Sequence, residues 1–157
     1  MQNPHFLYYV GINNHNFSMK IENITLAYGN KNILKDANIT INPGEFVFLI
    51  GGSGSGKTSF IKMLIGDLKP KSGKFFVTEG KDIYSYTEKE LLAYRRSIGV
   101  VFQDYKLLRS KTVRENVAFA MEVSGYKDSY ISEKVPEILS RVGLLHKKES
   151  FVETLSG

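Results

Sequence analysis

The chain has 157 residues, 21 Lys and Arg against 16 Asp and Glu, a formal net charge of +5 and no cysteine. That length suits about one domain. The lack of cysteine excludes a disulfide framework, thiolate-bound zinc and thiol catalysis, and no apolar run reaches the roughly 18 residues a bilayer-spanning helix needs. The charges are mixed along the chain, which reads as a solvated basic surface, with attraction to acidic partners or anionic lipid as the alternative. No aromatic-basic readout motif points to nucleic acid.

Residues 1–18 are rich in Asn and His around a short apolar run, Phe6–Val10. The run is too short for a signal-peptide core and no basic stretch precedes it. The expectation is an extension without a fixed fold, with Met19 as the natural start. From Lys20 the pattern turns strand-like: Ile21, Ile24 and Leu26, then the turn Tyr28-Gly29-Asn30, then Ala37, Ile39 and Ile41 alternating with polar residues. After the turn Asn42-Pro43-Gly44, the continuous apolar run Phe46–Ile50 predicts a strand buried on both faces. A helix is expected from Ser59 to a stop at Gly66, and a short strand over Phe75–Val77.

Thr87 with Glu90 three residues on forms a capping box that opens a helix running to about Ser97. Ile98–Phe102 predicts a second buried strand, ending at Gln103. Thr112 caps a helix through about Val123. A further helix covers roughly Ser129–Val142, with Pro136 as an internal irregularity and Gly143 as its stop.

The strongest signal is Gly51-Gly52-Ser53-Gly54-Ser55-Gly56-Lys57-Thr58, a full match to G-x-x-x-x-G-K-[ST], followed by Ser59. Glycines let the backbone turn sharply and approach a phosphate without Cβ clashes. Successive N–H groups then converge at the positive end of a helix. Lys57 is placed to bridge the β- and γ-phosphates of a nucleotide, and the Thr58 hydroxyl to ligate Mg²⁺. The bland alternative is a glycine-rich loop that binds nothing; a strand before it and a helix after it argue against that.

The order aromatic residue, phosphate loop, strand-Gln and Leu-Ser-Gly resembles the ABC-transporter ATPase family from Met19 to the end. The resemblance implies an α/β fold: a P-loop NTPase (RecA-like) core with an N-terminal antiparallel β subdomain and a partial α-helical subdomain, over residues 19–157. It implies ATP and Mg²⁺ as ligands. Tyr28 lies where the family stacks an aromatic on adenine. Gln103 matches the glutamine that touches Mg²⁺ and the attacking water. Leu155-Ser156-Gly157 resembles the opening of the signature that meets ATP bound to the opposite subunit of a homodimer. Arg95–Leu108, Thr112–Val117 and Val142–Leu145 are similar to the bacterial cell-division branch of the family, with the lipoprotein-release and macrolide-export branches as competitors. That branch implies a peripheral ATPase on the cytoplasmic face of the inner membrane. It would pair with an integral membrane permease, whose helix docks near Gln103–Lys111, and control septal cell-wall hydrolases.

The 157 residues stop inside the signature. The Walker B aspartate, catalytic glutamate and switch histidine of the family are not among them, so hydrolysis by these residues alone is in doubt, and a non-hydrolytic nucleotide-binding piece is the alternative. His5, His15 and His146 read as surface residues. In the family, the missing strands lie between the phosphate-loop strand and the Gln103 strand. The expectation is therefore a marginal, aggregation-prone chain, each buried unpaired backbone group costing on the order of 1–3 kcal/mol.

Overall fold

The computed structural model describes residues 9–12, 17–29, 31–78, 80–102 and 105–155. The chain divides into two compact units, Met1–Gln103 and Asp104–Gly157.

The first unit is built on an antiparallel three-stranded sheet. Strands β2 (Met19–Tyr28) and β3 (Lys31–Ile41) form a hairpin, and β4 (Ser72–Val77) pairs with the other edge of β2. The apolar residues singled out in β2 turn inward: Ile21, Ile24 and Leu26 are fully buried. Asn23 and Asp36 adopt positive φ where the β2–β3 register shifts. Polar side chains bridge that irregularity, Asn38 Nδ2 donating to Asn23 Oδ1 at 3.1 Å and the Asp36 N–H to Thr25 Oγ1 at 3.2 Å.

Helix α1 (Lys57–Leu64) buries Phe60, Ile61, Met63 and Leu64 in the same core as β2 and Phe75. Helix α2 (Glu88–Ser97) opens on the expected capping box: Thr87 Oγ1 accepts from the Glu90 N–H, and the Glu90 carboxylate accepts from the Thr87 N–H at 2.8 Å. Tyr94 is its buried anchor, stacked on Phe17 with centroids 6.5 Å apart.

Three expectations need correction. Phe46–Ile50 forms no strand; its side chains are 43–89% exposed, and the Phe46 and Phe48 rings meet edge to face at 4.9 Å. A strand exists only as a ladder with a neighbour, and no described residue pairs with this run. The second expected buried strand, β5 (Ile98–Val101), does form, but it alternates half-buried and exposed residues. Its partner is β1 (Tyr9–Ile12), antiparallel, in the register Tyr9 to Val101 and Ile12 to Ile98. The segment 1–18 is therefore not without structure throughout: its residues 9–12 are a strand, and Phe17 lies in the core. Backbone groups along β5 attract any extended segment that supplies a ladder.

The second unit is a helix pair. Thr112 and Glu115 make a second capping box at the start of α3 (Val113–Val123). Helix α4 (Asp128–Arg141) turns Ile131, Val135 and Leu139 inward at four-residue spacing, against Val113. Pro136 sits inside α4, and its ring leaves the Ser132 carbonyl without a helical donor. Asn116 clasps the preceding loop: its Oδ1 accepts from the Leu108 N–H at 2.8 Å, and its Nδ2 donates to the Leu108 and Thr112 carbonyls. Among the described residues no helix is long and apolar enough to cross a membrane.

Candidate functional site

The loop Gly51–Gly56 leads directly into α1, so the motif's lysine is the first helical residue. Gly56 caps the helix in a left-handed conformation, φ +96°. No side chain caps this end, and the first turn carries no acidic residue. The positive pole of the helix thus keeps its full attraction for an anion. Inside the loop the Ser55 N–H donates to the Gly52 carbonyl at 3.2 Å, and the Phe60 N–H to the Gly56 carbonyl at 2.9 Å. Lys57 folds its ammonium back over the loop, donating to the carbonyls of Gly51 at 2.6 Å and Gly52 at 2.7 Å and to Ser55 Oγ at 3.4 Å. One cation is therefore held across the mouth of a loop of exposed small residues, Ser53, Gly54 and Ser55. Thr58, the expected magnesium ligand, is exposed on the first turn beside it, and Ser59 is half-buried.

These features fit a polyphosphate: a cationic side chain, an uncapped helix start and no side chain at the glycines to block approach. Among the described residues no group of three or more His, Asp or Glu is assembled to hold a metal. Thr58 offers a single neutral oxygen, which suits Mg²⁺ held mainly by phosphate oxygens and water.

The other expected site residues are placed in part. The Tyr28 backbone closes the β2–β3 hairpin opposite Lys31. Ile33, two residues along β3 from Lys31, lies against Gly56, so the hairpin end stands beside the phosphate loop. The Tyr28 side chain lies outside what is described. So do Gln103, which follows β5 in the sequence, and Ser156 and Gly157. Leu155 belongs to the second unit, half-buried against the helix pair.

Sequence reasoning missed Ile33 and the side chains that hold the far end of α1. Tyr84 Oη donates to the Met63 carbonyl at 2.7 Å and to that of Leu68 at 3.2 Å, and Arg95 reaches the Ile65 and Gly66 carbonyls. The available signal was weak: an aromatic-aromatic-cation set, Tyr84, Tyr94 and Arg95, spread over separate elements.

A glycine loop with its lysine at the first turn of a helix, beside an antiparallel hairpin, defines a P-loop nucleotide-binding protein. The chain belongs to the ABC transporter family, whose model matches residues 34–157. It is 46% identical over 140 residues to the cell division ATP-binding protein FtsE of Bacillus subtilis, covering 88% of this chain and 61% of that protein. It is 36% identical over 140 residues to FtsE of Escherichia coli, covering 88% and 63%. Methionine import ATP-binding protein MetN of Carboxydothermus hydrogenoformans is 41% identical over 140 residues, with 87% and 41% covered. Among solved structures, cbiO1 of Clostridium perfringens, part of the ABC transporter complex cbiONQ, matches with a TM-score of 0.73 at 32% identity, over 88% of this chain and 55% of that one. The chain thus spans about three fifths of the length of its FtsE relatives, and its α/β fold is that of ABC ATPase domains.

Proposed function

We propose that the chain is the nucleotide-binding portion of an FtsE-like ATPase subunit that binds MgATP through Gly51–Ser59. The observation that carries this is Lys57, held over the mouth of an uncapped helix start by the loop's own carbonyls. When bound, MgATP supplies the phosphoryl bond whose energy the parent protein converts to conformational work. Lys57 would trade its carbonyl partners for phosphate oxygens, the main-chain amides at the start of α1 would orient the chain of phosphates, and the Thr58 hydroxyl would help to hold Mg²⁺. Tyr28 stacks on adenine, and the 157 residues carry no guanine-reading Asn-Lys-x-Asp motif. Gln103, by its place after β5 in the sequence, would supply the amide that holds Mg²⁺ and the attacking water. Leu155, Ser156 and Gly157 contribute to the site of a second subunit in a homodimer.

The partner is an FtsX-like integral membrane permease, the setting the cytoplasmic face of a bacterial inner membrane, and the output control of septal cell-wall hydrolysis. The 46% identity to FtsE of Bacillus subtilis, against 41% to MetN of Carboxydothermus hydrogenoformans, supports this branch over solute import. Titration of the full-length protein with a fluorescent ATP analogue tests the reading. Binding that requires Mg²⁺ and falls at least tenfold in Lys57→Ala supports it; a folded protein without measurable affinity overturns it.

A further inference from the structure

Helix α1 has two ends with different tasks. Its amino end carries the phosphate loop. At its carboxyl end four successive carbonyls, Met63 to Gly66, each receive a side-chain donor. Tyr84 Oη serves Met63 at 2.7 Å, Tyr94 Oη serves Leu64 at 2.5 Å, and Arg95 serves Ile65 through Nε and Gly66 through Nη2, both at 3.0 Å. The last carbonyls of a short helix are ordinarily left to water or to a backbone cap. Here the guanidinium fork spans two of them, adding a charge-assisted pair at the negative pole of the helix. The fit is close: Gly66 has φ +71°, and a Cβ placed on it would stand 2.7 Å from Leu91 Cδ1 of α2.

Tyr94 and Arg95 belong to α2, and α2 passes into β5 with no residue between Ser97 and Ile98. Two residues beyond the end of β5 the sequence reaches Gln103. Phosphate loop, α1, the clamped carbonyls, α2 and β5 therefore form one continuous bonded train within the first unit. These bonds couple α1 to β5 directionally, where apolar contacts alone would allow slip.

We infer that Arg95, supported by Tyr94, is a positioning residue that transmits occupancy of the phosphate loop to β5 and so to the glutamine position beyond it, an inference that rests on the nucleotide reading above. Arg95 touches neither nucleotide nor metal in this scheme; it acts through α1.

The test uses the full-length protein, with any cysteine outside these 157 residues replaced by serine and with Val101→Cys on β5, exposed in this structure, labelled with an environment-sensitive fluorophore. MgATP is added, and label response and direct binding of a fluorescent ATP analogue are followed together. In the otherwise unaltered protein the two should share a midpoint. In Arg95→Ala, binding should stay within about threefold while the label amplitude falls about fivefold or more. Tyr94→Phe should give a smaller loss. Arg95→Lys keeps the charge at the helix end with one donor in place of two, and should recover part of the amplitude; it also serves if the alanine variant does not fold. Full amplitude in both Arg95 variants overturns the inference, as does binding with no label response in the parent. Absence of binding in the parent overturns the nucleotide reading, and this inference with it.

Discussion

Gly56 lies so close to Ile33 that a methyl group on the glycine would fall inside the isoleucine side chain. This contact seats the start of α1 against β3 and sets the phosphate loop beside the hairpin end that carries Tyr28. Two costs meet in Gly56→Ala: a left-handed backbone, about 1–2 kcal/mol, and overpacking, about 1–3 kcal/mol. Urea denaturation should show a loss of about 2–5 kcal/mol. Adding Ile33→Ala should relieve the steric part and leave the backbone part, so the two changes will be non-additive.

Tyr84 bridges the carbonyls of Met63 and Leu68 from a part-buried position. Burial pushes its hydroxyl above the ordinary tyrosine range, so it remains a donor throughout neutral pH. Tyr84→Phe keeps the ring and removes the donor. The expected cost is about 1–3 kcal/mol, measured by chemical denaturation.

The Glu90 carboxyl is held down to about 2 from its ordinary 4.5, chiefly by the Lys81 ammonium at 2.7 Å and then by the Thr87 N–H. A carboxylate with a lowered folded-state pKa stabilises the fold above its unfolded value and loses that contribution as pH falls. The window here runs from about pH 4.5 down to about pH 2. Thermal unfolding scans of Glu90→Gln should show a shallower acid slope in that window than the unaltered chain. Identical slopes would mean that this pair contributes nothing to acid stability.

If Tyr28 stacks on adenine, Tyr28→Phe should bind MgATP as the parent does and Tyr28→Ala should bind it roughly 2- to 13-fold more weakly, from a stacking term of ~0.5–1.5 kcal/mol. Stacking is tolerant of base identity, so the affinity for GTP should fall by a similar factor in the alanine variant.

The exposed run Phe46–Ile50 combines high strand propensity with no charge over five residues, a pattern that templates intermolecular sheets. Light scattering of the 157-residue chain at 37 °C should rise with concentration. Phe48→Lys should suppress the rise by interrupting the run. Equal scattering from both would place the aggregation elsewhere.

The helices were legible because their start signals are local. Thr87 with Glu90 and Thr112 with Glu115 close their capping boxes within four residues, and Gly66 and Gly143 turn the chain out with positive φ. The phosphate loop was legible for the same reason, since eight consecutive residues contain the turn, the cation and the helix start. Ladder partners are not local. Nothing in Phe46–Ile50 or Ile98–Val101 says which segment lies alongside, and the tertiary structure left the first without a ladder and matched the second to Tyr9–Ile12. The pairing of Gly56 with Ile33, and of Arg95 with the carbonyls of Ile65 and Gly66, likewise arises only when elements about 20 to 30 residues apart are brought together by burial of the β2 and α1 core, a non-directional force that a sequence window does not resolve.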